Sequence, residues 1–283
     1  MAHTTAYHGH TAALLTQHGK EAILGPVLSQ HLGCSVQHVT GFDTDQLGTF
    51  TREQPRPGTQ LDAARRKARV GMDLSGLPLG LASEGSFGMD PHMGLVPWNV
   101  EIVIWIDDRR SLEVVGMAQG LADDRQSLLN SREALHTFAT EAGFPAHGLV
   151  LRPEGPDDLR VHKNLATWAD LDQAFDNAMQ EAANGAVFAE SDLRAHRNPA
   201  RQALIHQAGL DLAQRLLSAC PDCQSPGFSR HSHVPGLRCR ACGRRTHLPV
   251  AETWRCTCCG HEAQRPLPTA AGADPAQCSH CNP

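Results

Sequence analysis

Cys220-Pro-Asp-Cys223, Cys239-Arg-Ala-Cys242, Cys256-Thr-Cys258-Cys259 and Cys278-Ser-His-Cys281 bring four Cys-x-x-Cys pairs into the C-terminal part of a 283-residue chain. A Cys-x-x-Cys turn sets two thiolates on one side of a backbone knuckle, which suits two corners of a zinc tetrahedron. Gly243 and Gly260 follow the second cysteine of their pairs, where a left-handed backbone finishes the turn. Fifteen residues separate Cys223 from Cys239 and eighteen separate Cys259 from Cys278, both of which match zinc-ribbon spacing. Eight paired thiolates predict two closed, structural zinc sites without a catalytic water. The expected grouping follows sequence order: Cys220, Cys223, Cys239 and Cys242 in one site, then Cys256, Cys259, Cys278 and Cys281. A cross-braced arrangement is the alternative. Cys258 is left over, and His261 is a possible substitute ligand.

Outward from the cysteines the composition changes. From Cys220 onward Pro, Gly, Cys and Arg dominate and large apolar side chains are few, so this stretch needs metal to hold a fold. Its seven arginines face four acids, but eight thiolates carrying two Zn2+ ions bring the stretch close to neutral. Arg238, Arg240, Arg244 and Arg245 are candidates for a local phosphate contact, so nucleic acid or protein is a possible partner of this module. Hydrogen bonds from the same arginines to the thiolates are an equally good reading.

Upstream, strand-like and helix-like runs alternate, which argues an α/β fold with a mixed sheet. Residues 12–16, 35–39, 77–83, 100–106, 112–117, 148–151 and 186–189 read as strands. Helices are expected up to about residue 32, over 59–72, 131–142 and 169–183, and from Asn198 to about residue 217. Pro26 should kink the first helix or delay its start. Asn198 suits an N-cap and Pro199 a first helical position. The predicted division is residues 1–219 as the α/β domain and 220–283 as the zinc module.

The bulk numbers exclude some classes. A net charge of −5 rules out a generally basic nucleic-acid coat. The polar, His-rich start lacks a secretory h-region, and the apolar run 100–106 is too short to span a bilayer. Nine of ten cysteines clustered for metal fit a reducing compartment, so a cytoplasmic location is expected.

Three polar clusters interrupt the apolar pattern of the α/β region. Thr16-Gln-His-Gly-Lys20-Glu21 lies where a strand turns into a helix, a place where backbone N–H groups and a lysine can hold phosphate. Glu53 to Gly88 contains a helix with Asp62, Arg65, Arg66, Lys67 and Arg69, then a strand running into Ser83-Glu84-Gly85-Ser86-Phe87-Gly88. Glu84 is expected directly after that strand's end, where α/β sheets present metal and substrate groups. Glu190-Ser-Asp192-Leu-Arg194-Ala-His196-Arg197-Asn198-Pro199-Ala-Arg201 fills the junction before the last helix, with Arg and His converging on a capped helix start.

The order Thr16-x-x-x-Lys20-Glu21, Ala63-Ala64-Arg65-x-Lys67-Ala68, and Gly76-Leu77-Pro78 leading into the Glu84 turn resembles the inosine/xanthosine triphosphate pyrophosphatase superfamily. Ala195-His196-Arg197 echoes its Ser-His-Arg, and the likeness covers roughly residues 11–217. The superfamily's first-turn Asn is absent and its acidic pair is reduced to Glu84. The zinc module is foreign to it. The whole layout, with Glu190–Arg201 and the Cys-Asn-Pro ending, also resembles an uncharacterised bacterial family of unknown function. The resemblance implies an ITPase-like mixed-sheet domain that hydrolyses nucleoside triphosphates with Mg2+. Lys20 and Glu84 would be catalytic, Glu84 binding Mg2+ together with Glu53 or Glu101. Thr16, Arg65, Lys67, Arg194, His196, Arg197 and Arg201 would hold the nucleotide. The alternative is a catalytically inactive nucleotide-binding fold whose zinc ribbons recruit protein or nucleic acid.

Overall fold

A computed structural model describes residues 5–44, 58–91, 93–268 and 272–283. Glu53, one of the expected metal ligands, lies outside the described residues. The chain divides into two compact units, residues 1–109 with 115–213, and residues 110–114 with 214–283.

The first unit is mixed α/β. Strands β1 (Thr11–Leu15), β2 (Ser35–Val39), β3 (Leu79–Met89), β4 (Pro97–Asp107) and β5 (Leu112–Leu121) form a sheet in the order β2-β1-β3-β4-β5. β1 runs parallel to both β2 and β3, whereas β3 and β4 are antiparallel. Helix α1 (Glu21–Leu32) links β1 to β2, and α2 (Gln60–Ser75) precedes β3. A second sheet holds β6 (Gln126–Leu129), β7 (Leu149–Arg152) and β8 (Val187–Ser191) in the order β6-β8-β7, all antiparallel. Helices α3 (Arg132–Glu141) and α4 (Trp168–Glu181) cover it, packing Leu135, Ala139, Leu171 and Phe175 against Leu149, Leu151 and Val187. Helix α5 (Pro199–Leu217) follows β8.

Local chemistry accounts for the helix ends. Thr59 and Asp62 form a reciprocal capping box at α2, and Thr167 and Asp170 do the same at α4. The Asn198 Oδ1 accepts the backbone N–H of Arg201 at 2.9 Å, so it caps α5 as expected. Pro26 does not delay α1, which starts at Glu21 and runs through it. Leu24, Val27, Leu28 and Leu32 bury one face of that helix and hold it in place.

Glu84 does not follow the end of a strand. β3 continues to Met89 because β4 pairs with it along its full length, from Leu79↔Asp107 to Met89↔Pro97. That partner satisfies the backbone through Ser83-Glu-Gly-Ser-Phe-Gly88, so the glycines do not break the strand. β1 is much shorter. It stops at Leu15, with Ala13 opposite Gly80 and Leu14 opposite Leu81, while β3 runs on beyond it. The segment of β3 from Ser83 onward therefore lies open to the turn between β1 and α1. β6, whose Leu128 is exposed, is the strand without an apolar signature in the sequence.

The second unit contains β9 (Ser229–Pro235), β10 (Pro249–Arg255) and β11 (Glu262–Pro266), an antiparallel sheet in the order β11-β10-β9. Phe228, Trp254 and the buried Cys220 and Cys256 make its small core. Among the described residues no helix is long and apolar enough to cross a membrane.

Candidate metal centres and a buried charge cluster

The eight cysteines gather into two groups of four whose sulfurs all lie within 4.8 Å of one another. The pairing expected from sequence order is wrong. One group is Cys220, Cys223, Cys256 and Cys259, and the other is Cys239, Cys242, Cys278 and Cys281. The hairpin is the reason. Arg255 lies opposite Ser229, so the end of β10 returns to the start of β9 and carries Cys256 to the Cys220 knuckle. β11 then runs back along β10, with Ala251 opposite Pro266, and leads the chain to the Cys239 knuckle at the other end of the sheet. The parallel bridge Cys239↔Ala273 completes that approach.

Each knuckle repeats one hydrogen-bond pattern. The residue after the second cysteine donates its N–H to the first cysteine's carbonyl: Gln224 to Cys220 at 3.0 Å, Gly243 to Cys239 at 2.9 Å, Gly260 to Cys256 at 3.1 Å and Asn282 to Cys278 at 2.9 Å. Gly243 and Gly260 have φ of 69° and 75°, and Gln224 takes the same left-handed backbone at φ 60°. Sulfur–sulfur contacts between knuckles are 3.7 Å for Cys220–Cys259, 3.6 Å for Cys223–Cys256, 3.9 Å for Cys239–Cys281 and 3.7 Å for Cys242–Cys278. Four ligands at a Zn–S distance of about 2.3 Å define a tetrahedron with edges of about 3.8 Å, so both groups can hold a zinc ion. Backbone N–H donors lower some of the knuckle thiols, whereas burial and the neighbouring sulfurs raise Cys256, Cys259 and Cys281. The amide of Ser225 brings Cys223 down to about 6, and those of Cys281 and His280 bring Cys278 down to about 7. Cys258 and His261 belong to neither group.

Five of the module's arginines are engaged within it. Arg238 donates to the Gly243 carbonyl, Arg240 pairs with Asp274 at 2.7 Å, Arg230 with Glu252 and Arg255 with Glu262. Arg265 stacks over Trp254 at 3.7 Å. The partners of these five guanidiniums are carbonyls, carboxylates and a ring, not thiolates.

The second site is assembled from five separate segments of the α/β unit. Lys20, 6% exposed, sits in the turn after β1 and its Nζ donates to the Ser83 carbonyl at 2.5 Å. Lys67, from α2, pairs with the buried Glu84. Arg201, from α5, pairs with Glu101 of β4 through Nε at 2.5 Å, and both side chains are buried. The Asn99 amide also donates to Glu101 at 3.2 Å. The register explains why the two carboxylates do not meet. Glu84 lies opposite Ile102, and Glu101 opposite Gly85, so the carboxylates point to opposite faces of the sheet. Gly85 lacks a Cβ because Glu101 and Arg201 occupy that space: a methyl there would collide with both. The Gln60 amide bridges the carbonyls of Glu84 at 2.7 Å and Val100 at 2.9 Å, tying α2 to both strands.

At the rim, His18 stacks on the exposed His196 with ring centroids 4.9 Å apart and planes 14° from parallel. Burial, reinforced by the Lys20 charge, pulls His18 down to about 3, so it is neutral at physiological pH. Burial also pulls Lys20 down to about 7, helped by the positive charge of Arg201 and opposed by Glu84.

Lys20, Lys67, Glu84, His196 and Arg201 of the residues singled out from sequence therefore share one neighbourhood. Thr16 is buried beside them and accepts the His18 N–H at 3.3 Å. Arg65 pairs with Asp62 on its own helix. Arg194 is held in a bidentate pair by Asp192, at 2.9 and 2.6 Å. Arg197 turns away to the Leu165 carbonyl and to the backbone at Gly148. His18 lies inside the Thr16–Glu21 motif without having been singled out, whereas Gln60, Asn99 and the anchoring role of Glu101 carry no motif of their own. They become visible only when β3 and β4 are paired. Among the described residues, the groups of three or more His, Cys, Asp or Glu able to hold a metal are the two cysteine groups.

Fold and sites define the class: a mixed α/β domain joined to a module with two four-cysteine sites. The chain belongs to the family described as a domain of unknown function, DUF6671, which it matches over residues 67–283. That match takes in the whole cysteine module together with Lys67, Glu84, Glu101 and Arg201, and it begins after Lys20. No curated protein and no solved structure matches the chain. The likeness to the inosine/xanthosine triphosphate pyrophosphatases therefore rests on the short motifs alone.

Proposed function

We propose that the α/β unit binds a phosphate-bearing small molecule, a nucleotide being the class that its motifs imply, against Lys20, Lys67 and Arg201. The supporting observation is the charge balance of the cluster. The buried Lys20 and Arg201 and the largely covered Lys67 face two buried carboxylates, and those carboxylates are already paired, Glu84 with Lys67 and Glu101 with Arg201. Lys20 is left with a neutral carbonyl as its hydrogen-bond acceptor among the described residues. Burying an ammonium that way is costly, and a phosphate oxygen beside it would turn the cost into attraction. The two zinc sites are structural in this reading. They hold together a module too poor in apolar side chains to fold by itself, and Arg238 and Arg240, two of its four candidate phosphate contacts, are engaged within the module.

The test is a panel of inorganic phosphate and nucleoside mono-, di- and triphosphates, followed by calorimetry and by product analysis, with and without added Mg2+. Binding should occur without Mg2+ and should weaken at least tenfold in Lys20→Met. Failure of every phosphate compound to bind contradicts the reading. Mg2+-dependent release of pyrophosphate, lost on the order of 10²-fold in Glu84→Gln, would instead establish the pyrophosphohydrolase, with Glu84 leaving Lys67 for the metal.

A further inference from the structure

Basic residues in this chain are overwhelmingly arginine: 22 of 25, with lysine at positions 20, 67 and 163 alone. Two of its three lysines are kept inside the charge cluster. The groups differ in one decisive respect: a guanidinium stays protonated in proteins, whereas a buried ammonium can release its proton and become a nucleophile. Lys67 is paired with the Glu84 carboxylate. Lys20 has a carbonyl as its acceptor, and it is set among the Arg201 and Lys67 cations and the Glu84 and Glu101 carboxylates with its side chain almost wholly removed from water.

Resting on the phosphate reading above, we propose that Lys20 is a reactive amine and that the ligand is a phosphate ester bearing an aldehyde or ketone, with which Lys20 condenses to an imine. The Lys20 nitrogen lone pair attacks the carbonyl carbon, forming the N–C bond while the C=O π pair moves to oxygen. The carbinolamine then loses that oxygen as water, whose two hydrogens come from the amine, and the C=N bond remains. No oxidant or reductant is required. Arg201 and Lys67 hold the phosphate, and the His18–His196 stack lies beside Lys20. The balance of charge fits as well, since burial lowers Lys20 to about 7 and leaves free amine at neutral pH.

The experiment treats the full zinc-loaded chain with glyceraldehyde 3-phosphate or with unphosphorylated glyceraldehyde, reduces any imine with cyanoborohydride, and maps the adduct by peptide mass. One adduct per chain at Lys20 is expected, forming at least tenfold faster with the phosphorylated aldehyde and suppressed by inorganic phosphate. Lys20→Arg should lose the adduct, because a guanidinium does not release its proton. Adducts spread over Lys67, Lys163 and the N-terminus, or none at Lys20 while phosphate still binds, overturn the amine role and leave the phosphate reading standing. An adduct at Lys20 that forms equally with both aldehydes, without phosphate binding, does the reverse. Neither adduct nor phosphate binding overturns both.

Discussion

The cysteine module and the charge cluster solve opposite problems with the same few kinds of side chain. In the module, every ligand pair is local: two cysteines three residues apart, one knuckle and one repeated N–H···O=C bond. The fold then only has to bring knuckles together in twos. In the α/β unit no two ionic partners of the cluster are neighbours in sequence. Lys67 meets Glu84 across α2 and β3, and Arg201 meets Glu101 a hundred residues away. The first kind of site can be closed by a metal ion, and the second rests on β3 outrunning β1 and on β4 pairing along its length. Local sites survive changes in their surroundings. Assembled ones stand or fall with the register of the sheet.

The largest effect tests the module's pairing. Cys220→Ser combined with Cys256→Ser should remove one zinc per chain, because both belong to the same site. Cys220→Ser combined with Cys239→Ser should remove both. Elemental analysis after purification without added metal reads this directly, starting from two zinc ions per wild-type chain. The reverse pattern would restore the sequential grouping.

Next in size is the register-dependent ion pair. Glu101→Gln leaves Arg201 buried without its counter-charge and should cost about 3–5 kcal/mol in urea unfolding of the α/β unit. Zinc content should stay at two. Gly85→Ala attacks the same pair sterically and should cost roughly 1–3 kcal/mol, as overpacking does. If both variants are as stable as the parent, the Glu101–Arg201 pair is not what holds that face of the sheet.

A further effect is on pH dependence. Lys20 is lowered from 10.5 to about 7, so between those values the unfolded chain binds more protons than the folded one. The penalty for burying the charge is therefore complete below about pH 7 and is relieved as pH rises toward 10.5. The α/β transition should gain stability over that window, and Lys20→Met should flatten the gain. A bound phosphate favours the ammonium, so phosphate affinity should fall over the same range. A loss of stability between about pH 7 and 9 that depends on Lys20 would reverse the sign and refute its burial as the cause.

How much was readable beforehand follows from the same contrast. The four cysteine pairs and the knuckle turns came directly from the spacing, because their chemistry is local. The grouping did not, since it depends on β9 and β10 forming a hairpin in a stretch whose side chains are mostly exposed or half-buried. Lys20, Lys67, Glu84 and Arg201 could be singled out as polar residues breaking apolar runs. Their partners could not. Ser83-Glu-Gly-Ser reads as the end of a strand until an antiparallel neighbour is known to satisfy its backbone, and Glu101 reads as a stray charge in a core strand until Arg201 arrives. Arg194 and Arg197 looked the same as Arg201 in sequence. Asp192 and the Leu165 carbonyl claim the first two, and the turn before α5 aims the third inward.

The most direct test of the whole account is a calorimetric scan of the full chain, with and without a zinc chelator and with and without inorganic phosphate. Two transitions are expected. Chelation should abolish the module's transition and leave the α/β transition within a few degrees of its starting temperature, and phosphate should raise that remaining transition in both cases. Collapse of both transitions on chelation would show that the α/β unit does not stand on its own core. A phosphate shift that vanishes with the zinc would place the anion site in the wrong unit.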